Sequence, residues 1–300
     1  MRKNKLNLQL FADENLTTTV DFSKVNSIDF VNQFEGSIKK LIEALGVTRK
    51  MPLEKGNVIK MYKAEKTLKS GKVAEGELIP LSKVKRILAG THEVILEKFR
   101  KEVTAEAIQE QGFDEAVTWT DNELLKEIQK KIRSDFFTFL GTGTASATGA
   151  SFQEILAQTW GQVQILWEDD EIRPVFFANQ LDVADYMGKA GITTQTAFGL
   201  TYIENFLGLG TLILNSNVSK GKVYATAANN IVLAYVNAAG GELGKAFDLT
   251  TDETGYIGVT HTAVNNHLTY ETVAASGILL FAERLDGVVV GTISSASEEP

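Results

Sequence analysis

The stretch that decides the fold is residues 55–90, which read KGNVIKMYKAEKTLKSGKVAEGELIPLSKVKRILAG. Extended patterns at 57–62 and 84–88 flank a third extended segment at 76–81. The apolar residues of this stretch are too sparse to fill a core, and Pro80 suits an edge that donates no ladder hydrogen bond. The pattern therefore predicts a long hairpin that buries little of its own surface.

The hairpin is also the basic part of an acidic chain. From Lys55 to Arg86 there are nine basic residues and three acidic ones, whereas the whole chain has a formal charge of −8 and a pI near 5.1. A projection that buries little of itself needs another surface to order it, which favours interlocking with neighbouring copies across an acidic surface. The alternative is a mobile, solvent-exposed loop.

Composition excludes several classes of protein. The chain has 300 residues, is 44% hydrophobic and contains no cysteine, which rules out disulfide scaffolds, thiolate metal sites and cysteine nucleophiles. A chain of this length and apolar content can bury a large core. Its longest apolar runs fall far short of the roughly 20 residues of a membrane helix. The N-terminal stretch is too polar for a secretory signal, so we expect a cytosolic globular protein.

Helical and strand patterns alternate along the rest of the chain and predict an α+β fold in two lobes. Residues 12–36 predict an extended arm, followed by a short helix at 37–45. Capping boxes at Thr120/Glu123 and Ser151/Glu154 predict helices over 121–140 and up to Trp160. Further elements are predicted as a helix at 181–189 and strands at 174–178, 211–214, 222–225, 255–262, 268–273, 278–285 and 288–293.

No motif predicts a catalytic, cofactor-binding or metal site. The glycine-rich run 141–149 lacks the ending of a phosphate loop and follows a helix, which favours a flexible helix–helix linker. His261 and His267 favour ordinary surface histidines over a metal pair. The acidic run 168–171 favours a solvated turn over a cation site. We therefore expect a protein that is not an enzyme.

A family resemblance emerges in the C-terminal third. FLGLGTLIL at 206–214 followed by VSKGKVY at 218–224 resembles a Leu-Gly-x-Pro-Val-x-x-Ser stretch of the HK97-fold major capsid proteins of tailed bacteriophages (Caudoviricetes). ILLFAERL at 278–285 and GVVVGTI at 287–293 are similar to the last two strands of that family. The order of arm, basic hairpin, long helix and α/β lobe also matches over nearly the whole chain.

The resemblance implies an HK97-like capsid fold with an N-arm, an E-loop hairpin, a spine helix, a P-domain and an A-domain. The implied ranges are 1–35 for the leader and N-arm, 36–54, 91–145 and 255–285 for the P-domain (spine helix about 121–140), 55–90 for the E-loop, and 146–254 with 286–295 for the A-domain.

The implied function is that of a major capsid protein. Pentamers and hexamers would form an icosahedral shell that encloses phage double-stranded DNA without sequence-specific binding. Other implied partners are a portal protein and, because no long helical segment precedes the fold, a separate scaffolding protein. The implied location is the virion, with assembly in the host cytoplasm and no membrane partner.

The N-terminus resembles a processed leader. KLNLQLFA at 5–12 is similar to the leader of many capsid proteins of siphovirus-like phages that infect Gram-positive Firmicutes. A ribosomal protein of those hosts has a similar leader, which a cysteine protease removes between Phe and Ala. The resemblance implies cleavage between Phe11 and Ala12, and loss of Arg2, Lys3 and Lys5 would change the charge from −8 to −11. The alternative is an uncleaved arm.

The chain departs from the founding member of the family, whose subunits are joined by Lys–Asn isopeptide bonds. Ala275 aligns with the reacting asparagine and Ala282 with the assisting carboxylate, although Glu283 is retained, so a non-covalent shell is expected. The candidate intersubunit residues are Lys63, Lys66, Lys69 and Lys72 on the hairpin, with Trp119 and Phe136 near the spine helix, for which core burial is the alternative.

Two other functions stay open at the level of the sequence. An encapsulin-type bacterial compartment uses the same fold to package enzymes. A soluble carbohydrate- or nucleotide-active enzyme with an unrecognised site is the more remote alternative.

Overall fold

A computed structural model describes residues 19–294, apart from gaps at 48, 54–57, 169–170, 188–193, 198–199, 239–241 and 252–254; side chains are described from Phe30 onward. The predicted cleavage site at Phe11 and Ala12 lies outside these residues. So does the centre of the acidic run 168–171.

The first described element is helix α1, Thr19–Leu45. The prediction of an extended arm up to residue 36 is therefore wrong from Thr19 onward. An apolar stripe at helical spacing, which includes Phe30, Phe34, Ile38 and Leu41, is almost fully buried and continues across the predicted boundary. Burial of this stripe against the rest of the chain stabilises one long helix.

The predicted hairpin is confirmed. Strand β1 (Arg49–Leu53) precedes β2 (Val58–Thr67), which pairs antiparallel with β3 (Lys83–Glu93) in a two-stranded sheet. At about 3.4 Å per residue, the ten residues of β2 extend roughly 34 Å. The segment 76–81 lies at the end of this hairpin but forms no strand.

The long helix is confirmed, but its predicted capping box is wrong. β4 (Glu97–Thr104) leads into α2 (Ala105–Gln111), then through a π-helical turn (Asp114–Thr118) directly into α3 (Trp119–Leu140). Thr120 lies inside this continuous helix, and its hydroxyl donates to the carbonyls of Ala116 and Val117 at 2.7 and 2.9 Å. Because the π turn runs directly into α3, backbone N–H groups at the start of α3 find carbonyl acceptors in that turn, as Trp119 does with Asp114, and no side-chain cap forms.

The glycine-rich run is not a flexible linker from residue 145 onward. Strand β5 (Ala145–Gly149) pairs parallel with the last strand of the chain. A Cβ at Gly149 would lie 2.7 Å from the backbone nitrogen of Ile155, so glycine here permits close packing on the next helix.

The second predicted capping residue is confirmed, although the glutamate of the box bonds the residue before the cap. Ser151 Oγ accepts from the Glu154 backbone at 3.2 Å, and the Glu154 carboxylate accepts from the Ala150 backbone at 2.9 Å. The helix that follows, α4 (Phe152–Leu166), extends beyond the predicted end at Trp160.

The predicted strands and the short helix of the C-terminal half are confirmed with shifted ends. The local patterns do not predict the strands at 49–53, 97–104, 145–149, 195–197, 200–206 and 231–236. The remaining elements are β6 (Pro174–Ala178), α5 (Gln180–Met187), β7 (Gln195–Ala197), β8 (Leu200–Phe206), β9 (Gly210–Leu214), β10 (Lys222–Ala227), β11 (Ile231–Val236), α6 (Glu242–Ala246), β12 (Ile257–Val264), β13 (Thr269–Ser276), β14 (Ile278–Ala282) and β15 (Val289–Ile293).

Three larger sheets organise these strands. One has seven strands in the order β5-β15-β10-β6-β9-β8-β7, and two have three strands each, β1-β11-β14 and β12-β13-β4. In the second sheet, β11 lies within the range assigned to the A-domain, whereas β1 and β14 lie within ranges assigned to the P-domain. The domain ranges stay a prediction.

The main core joins α1 and α3 to the sheets. Phe177 of β6 is fully buried, and its ring makes edge contacts with Phe136 and Phe137 of α3 at centroid distances of 5.7 and 5.5 Å. Phe136 is therefore a core residue, so the alternative of core burial holds and the prediction that Phe136 contacts a neighbouring subunit is wrong. A second core lies between α4 and the seven-stranded sheet.

Phe177→Ala should destabilise the unassembled chain by about 3–5 kcal/mol, because it removes a buried ring and leaves a cavity between β6 and α3. Denaturant unfolding measures this change. The matched control, Leu181→Ala at a 60% exposed position on α5, should change the free energy of unfolding by less than about 0.5 kcal/mol. Equal effects of the two substitutions would contradict the described core.

Candidate assembly surface

The hairpin is fixed at its base. Met61 is buried in a small cluster with Val94, Val232 and Phe281, which joins the hairpin to the β1-β11-β14 sheet. A Cβ on Gly90 of the opposite strand would lie 3.0 Å from Met61 Cε, so the glycine leaves room for the methionine. The hairpin therefore projects from a packed anchor.

Contacts within the hairpin order its outer part. The Arg86 guanidinium lies 3.9 Å from the centroid of the Tyr62 ring, across the two strands. At the far end, the Lys69 backbone donates to Ser82 Oγ at 3.1 Å, and the Ala74 backbone donates to the Glu77 carboxylate at 3.3 Å. These bonds hold the two sides of the projection together without burying its side chains.

The hairpin tip, defined here as residues 77–82, presents uncovered apolar side chains. Leu78 is 94% exposed and Leu81 92% exposed, and Ile79 between them is also largely exposed. Clustered apolar exposure of this kind marks an interaction surface. The four predicted lysines lie on the same projection and are all exposed: Lys63, Lys66, Lys69 and Lys72.

A second surface forms where α2, the π turn and α3 meet. A groove of about 500 Å³ is lined by apolar parts of Val103, Ala107, Ala116 and Trp119, with Gln111 at its side. Trp119 is 55% exposed there, so its predicted role as a contact stays a prediction. Glu102 and Glu115 also line the groove, and α2 and the π turn carry further exposed carboxylates: Glu106, Glu110 and Asp114.

A buried charge cluster lies beneath this groove. The Asp121 carboxylate is 2.9 Å from Lys101 Nζ and 3.0 Å from His261 Nε2, which joins α3 to β4 and β12. Lys101 Nζ also donates to the Val117 carbonyl of the π turn at 3.1 Å. The cluster thereby fixes the backbone that carries Trp119.

The histidine prediction is half right. The His261 side chain is fully buried and its ring stacks on Tyr270 at 5.8 Å, so the prediction of a surface residue is wrong there. His267 is exposed, as predicted. Sequence reasoning missed the cluster because Asp121, Lys101 and His261 are far apart along the chain and share no motif spacing.

The surroundings of Asp121 determine its protonation. Burial by itself raises the pKa of the carboxyl, but the hydrogen bond with His261 and the charge of Lys101 outweigh it, so the pKa of Asp121 lies below its ordinary value. Burial lowers the pKa of Lys101, and Asp121 partly offsets that change. Asp121 is therefore charged at neutral pH.

The positions aligned with the crosslinking residues of the family lie in the interior. Ala275 and Ala282 are buried, and Glu283 forms an ion pair with Arg49 of β1. Within the described part of the chain, no three histidine, cysteine, aspartate or glutamate side chains are grouped to hold a metal ion. No described helix combines the length and apolar character of a membrane span.

Comparison with solved structures identifies the fold. The capsid of an empty GTA particle aligns with a TM-score of 0.59 at 8% identity, over 86% of this chain and 90% of that chain. The cyanophage P-SCSP1u capsid gives 0.52 at 6% identity, over 83% and 86%. The holo-SrpI encapsulin complex from Synechococcus elongatus PCC 7942 gives 0.51 at 13% identity, over 84% and 87%.

Neither a protein-family model nor a curated protein sequence matches the chain. These three structures are shell proteins, two capsids and one encapsulin, and none of the three is described as an enzyme. The protein has the HK97-like capsid fold, an α+β fold, as the sequence predicted.

Asp121→Asn should destabilise the chain by about 3 kcal/mol at pH 7, because it leaves the buried Lys101 charge without its partner. A carboxyl whose pKa is depressed by folding stabilises the fold above its unfolded pKa, near 4, and this stabilisation is lost as pH falls further. The difference in the free energy of unfolding between Asp121→Asn and the unsubstituted protein should therefore shrink below about pH 4. Denaturant unfolding across pH measures it.

Glu123→Gln is the matched control, since Glu123 lies on the same helix and forms only an exposed ion pair with Lys126. It should leave the stability at pH 7 nearly unchanged. A destabilisation by Asp121→Asn that stays constant down to pH 2 would contradict the charged cluster.

Proposed function

We propose that this protein is the major capsid protein of a tailed bacteriophage. Many copies form pentamers and hexamers of an icosahedral shell that encloses double-stranded DNA. The observation that carries the proposal is the HK97-like fold together with an anchored hairpin whose apolar tip is left uncovered by the described residues.

The physical character of the chain supports a shell around nucleic acid. Two different surfaces that contact each other head to tail generate closed rings when the rotation between copies closes. The formal charge of −8 supports a container that binds DNA weakly, because tight binding requires basic side chains that neutralise the phosphates. The DNA is then enclosed rather than bound.

A bacterial compartment is the second candidate. The encapsulin complex aligns nearly as well as the cyanophage capsid, so the fold alone does not distinguish a bacterial compartment from a phage capsid. The leader-like residues 5–12 favour the phage assignment. Purified particles that contain a protein cargo and no DNA would favour the compartment instead.

The finer assignments belong to the same proposal. The phage is siphovirus-like with a Firmicute host, and the shell assembles in the host cytoplasm with a separate scaffolding protein and a portal protein. The ranges given above for the N-arm, E-loop, P-domain and A-domain are proposed as the parts of the subunit. Lys63, Lys66, Lys69 and Lys72 are proposed to contact a neighbouring subunit.

Assembly should depend on the hairpin tip. Leu78→Ser combined with Leu81→Ser should reduce the yield of closed particles at least tenfold, because burial of these side chains drives the contact. Velocity sedimentation and negative-stain electron microscopy measure the yield, with the scaffold co-expressed. The unassembled chain should keep its thermal stability, since both residues are uncovered.

The control is Leu181→Ser combined with Leu268→Ser, at exposed positions away from the hairpin, which should assemble normally. Unsubstituted protein that stays a small species with and without scaffold would contradict the proposed function itself.

The shell should be held together without covalent links between subunits. Alanine at 275 and 282 supplies neither an amide nor a carboxylate for isopeptide formation. Purified particles boiled in SDS should therefore run as a single monomer band. A ladder of higher bands would contradict this expectation.

Leader removal is proposed between Phe11 and Ala12. Intact-mass measurement on shells produced in a Firmicute host should give a chain that begins at Ala12. The same protein made in a host without the leader protease should keep its N-terminus. A mass that corresponds to residue 1 or 2 in the Firmicute host would contradict the cleavage.

A further inference from the structure

We propose that the cleft between the base of the hairpin and the β1-β11-β14 sheet is a binding site for an amphiphilic anion, a medium-chain acyl carboxylate such as decanoate. The cleft lies within one copy of the chain, so the site exists before any assembly. Its inner walls are apolar and its mouth is cationic, and these two properties together define the class of ligand.

The cleft is large enough for an acyl chain. It holds about 430 Å³, within the range of about 300–1,000 Å³ that small-molecule sites occupy. One wall is a row across the three-stranded sheet, in which Val232 of β11 pairs with Arg49 of β1 and with Phe281 of β14. The opposite wall is the hairpin, to which Ile59 and Met61 contribute. An extended ligand can therefore lie between the sheet and the hairpin.

The buried side chains that line the cleft are all apolar. Met61, Val232 and Phe281 are almost fully buried, and Met51 and Ile59 beside them are half-buried. Methionine side chains are flexible and polarisable, so they adapt to an irregular apolar ligand. A ligand with an apolar body therefore gains binding free energy in the cleft, because its apolar surface leaves water.

The mouth of the cleft is positively charged. Its charged side chains are all exposed, and they are four cations and one carboxylate: Arg49, Lys60, Lys63, Arg86 and Glu283. Glu283 forms an ion pair with Arg49, and the Arg86 guanidinium lies against the Tyr62 ring. Among the described residues, Lys60 and Lys63 form no ion pair. Hydrogen bonds between an ammonium group and a carboxylate are stronger than neutral ones, so these two lysines are the contacts for the headgroup.

The same features disfavour other anions. Inorganic phosphate would bind at the mouth and leave the apolar walls in water. The peptide groups of an acidic peptide would find no polar partner among the buried lining side chains, and burying such groups unpaired is costly. A nucleobase would need a free aromatic face, but the Tyr62 ring at the mouth already packs against Arg86. An acyl carboxylate uses both the apolar walls and the lysines.

A ligand in the cleft joins the hairpin to the rest of the subunit. It contacts β2 and β3 on one side and β1, β11 and β14 on the other. A ligand that binds only the folded state stabilises that state. Opening of the hairpin base therefore becomes less frequent when the site is filled, and the backbone amides of residues 58–64 exchange more slowly with solvent.

Calorimetric titration of the unassembled chain with decanoate, below its micelle concentration, tests the site. A single decanoate should bind per chain and slow amide exchange at residues 58–64. Lys60→Gln combined with Lys63→Gln should weaken the affinity about tenfold, because it removes the charge-assisted contacts of the headgroup. Ala64→Trp, at an exposed position that lines the cleft, should weaken it to a similar extent by filling the space without changing the charge.

The matched control is Lys126→Gln combined with Lys130→Gln, which removes the same charge from exposed ion pairs on α3 and should bind decanoate like the unsubstituted chain. Decanol and inorganic phosphate are the comparison ligands, and each should bind about tenfold more weakly than decanoate. Phosphate affinity equal to that of decanoate, unchanged affinity in the two cleft variants, or no decanoate binding at all would each overturn the proposal. None of these outcomes depends on particle formation, so the shell function is tested separately.

Discussion

The main physical constraint on this molecule is that the apolar side chains of its hairpin tip are exposed to water. Leu78 and Leu81 are more than nine-tenths exposed among the described residues, so their apolar surface stays in contact with water. In the proposed shell their burial comes from a neighbouring subunit, so the folded chain is one part of a larger assembly. The packed base holds the extended, basic hairpin away from the rest of the subunit. In the proposed shell, the tip thereby reaches another molecule.

The interior holds the base of the projection in place. Met61 anchors the hairpin to the β1-β11-β14 sheet, and the same sheet packs into the core that contains α1 and α3. Elsewhere in the subunit, the Asp121 cluster ties α3 to β4 and β12. The hairpin is therefore attached to packed strands rather than to loops.

The sequence predicted elements whose own residues decide their structure. The hairpin and the Ser151 capping box depend on local patterns, and both are confirmed. The start of α1 and strand β5 depend on burial against distant segments, which a local pattern does not contain. The Asp121–Lys101–His261 cluster joins residues from three elements, so neither spacing nor composition indicated it. Trp119 was named as a candidate contact, but the groove beside it required the fold.

The central claim is that the hairpin tip changes from exposed to buried on assembly. Amide hydrogen exchange of residues 77–82 in the unassembled chain and in closed particles measures that change directly. The account predicts fast exchange in the chain and protection of at least tenfold in particles, with α5 unchanged between the two. Equally fast exchange of the tip in both states would contradict the account.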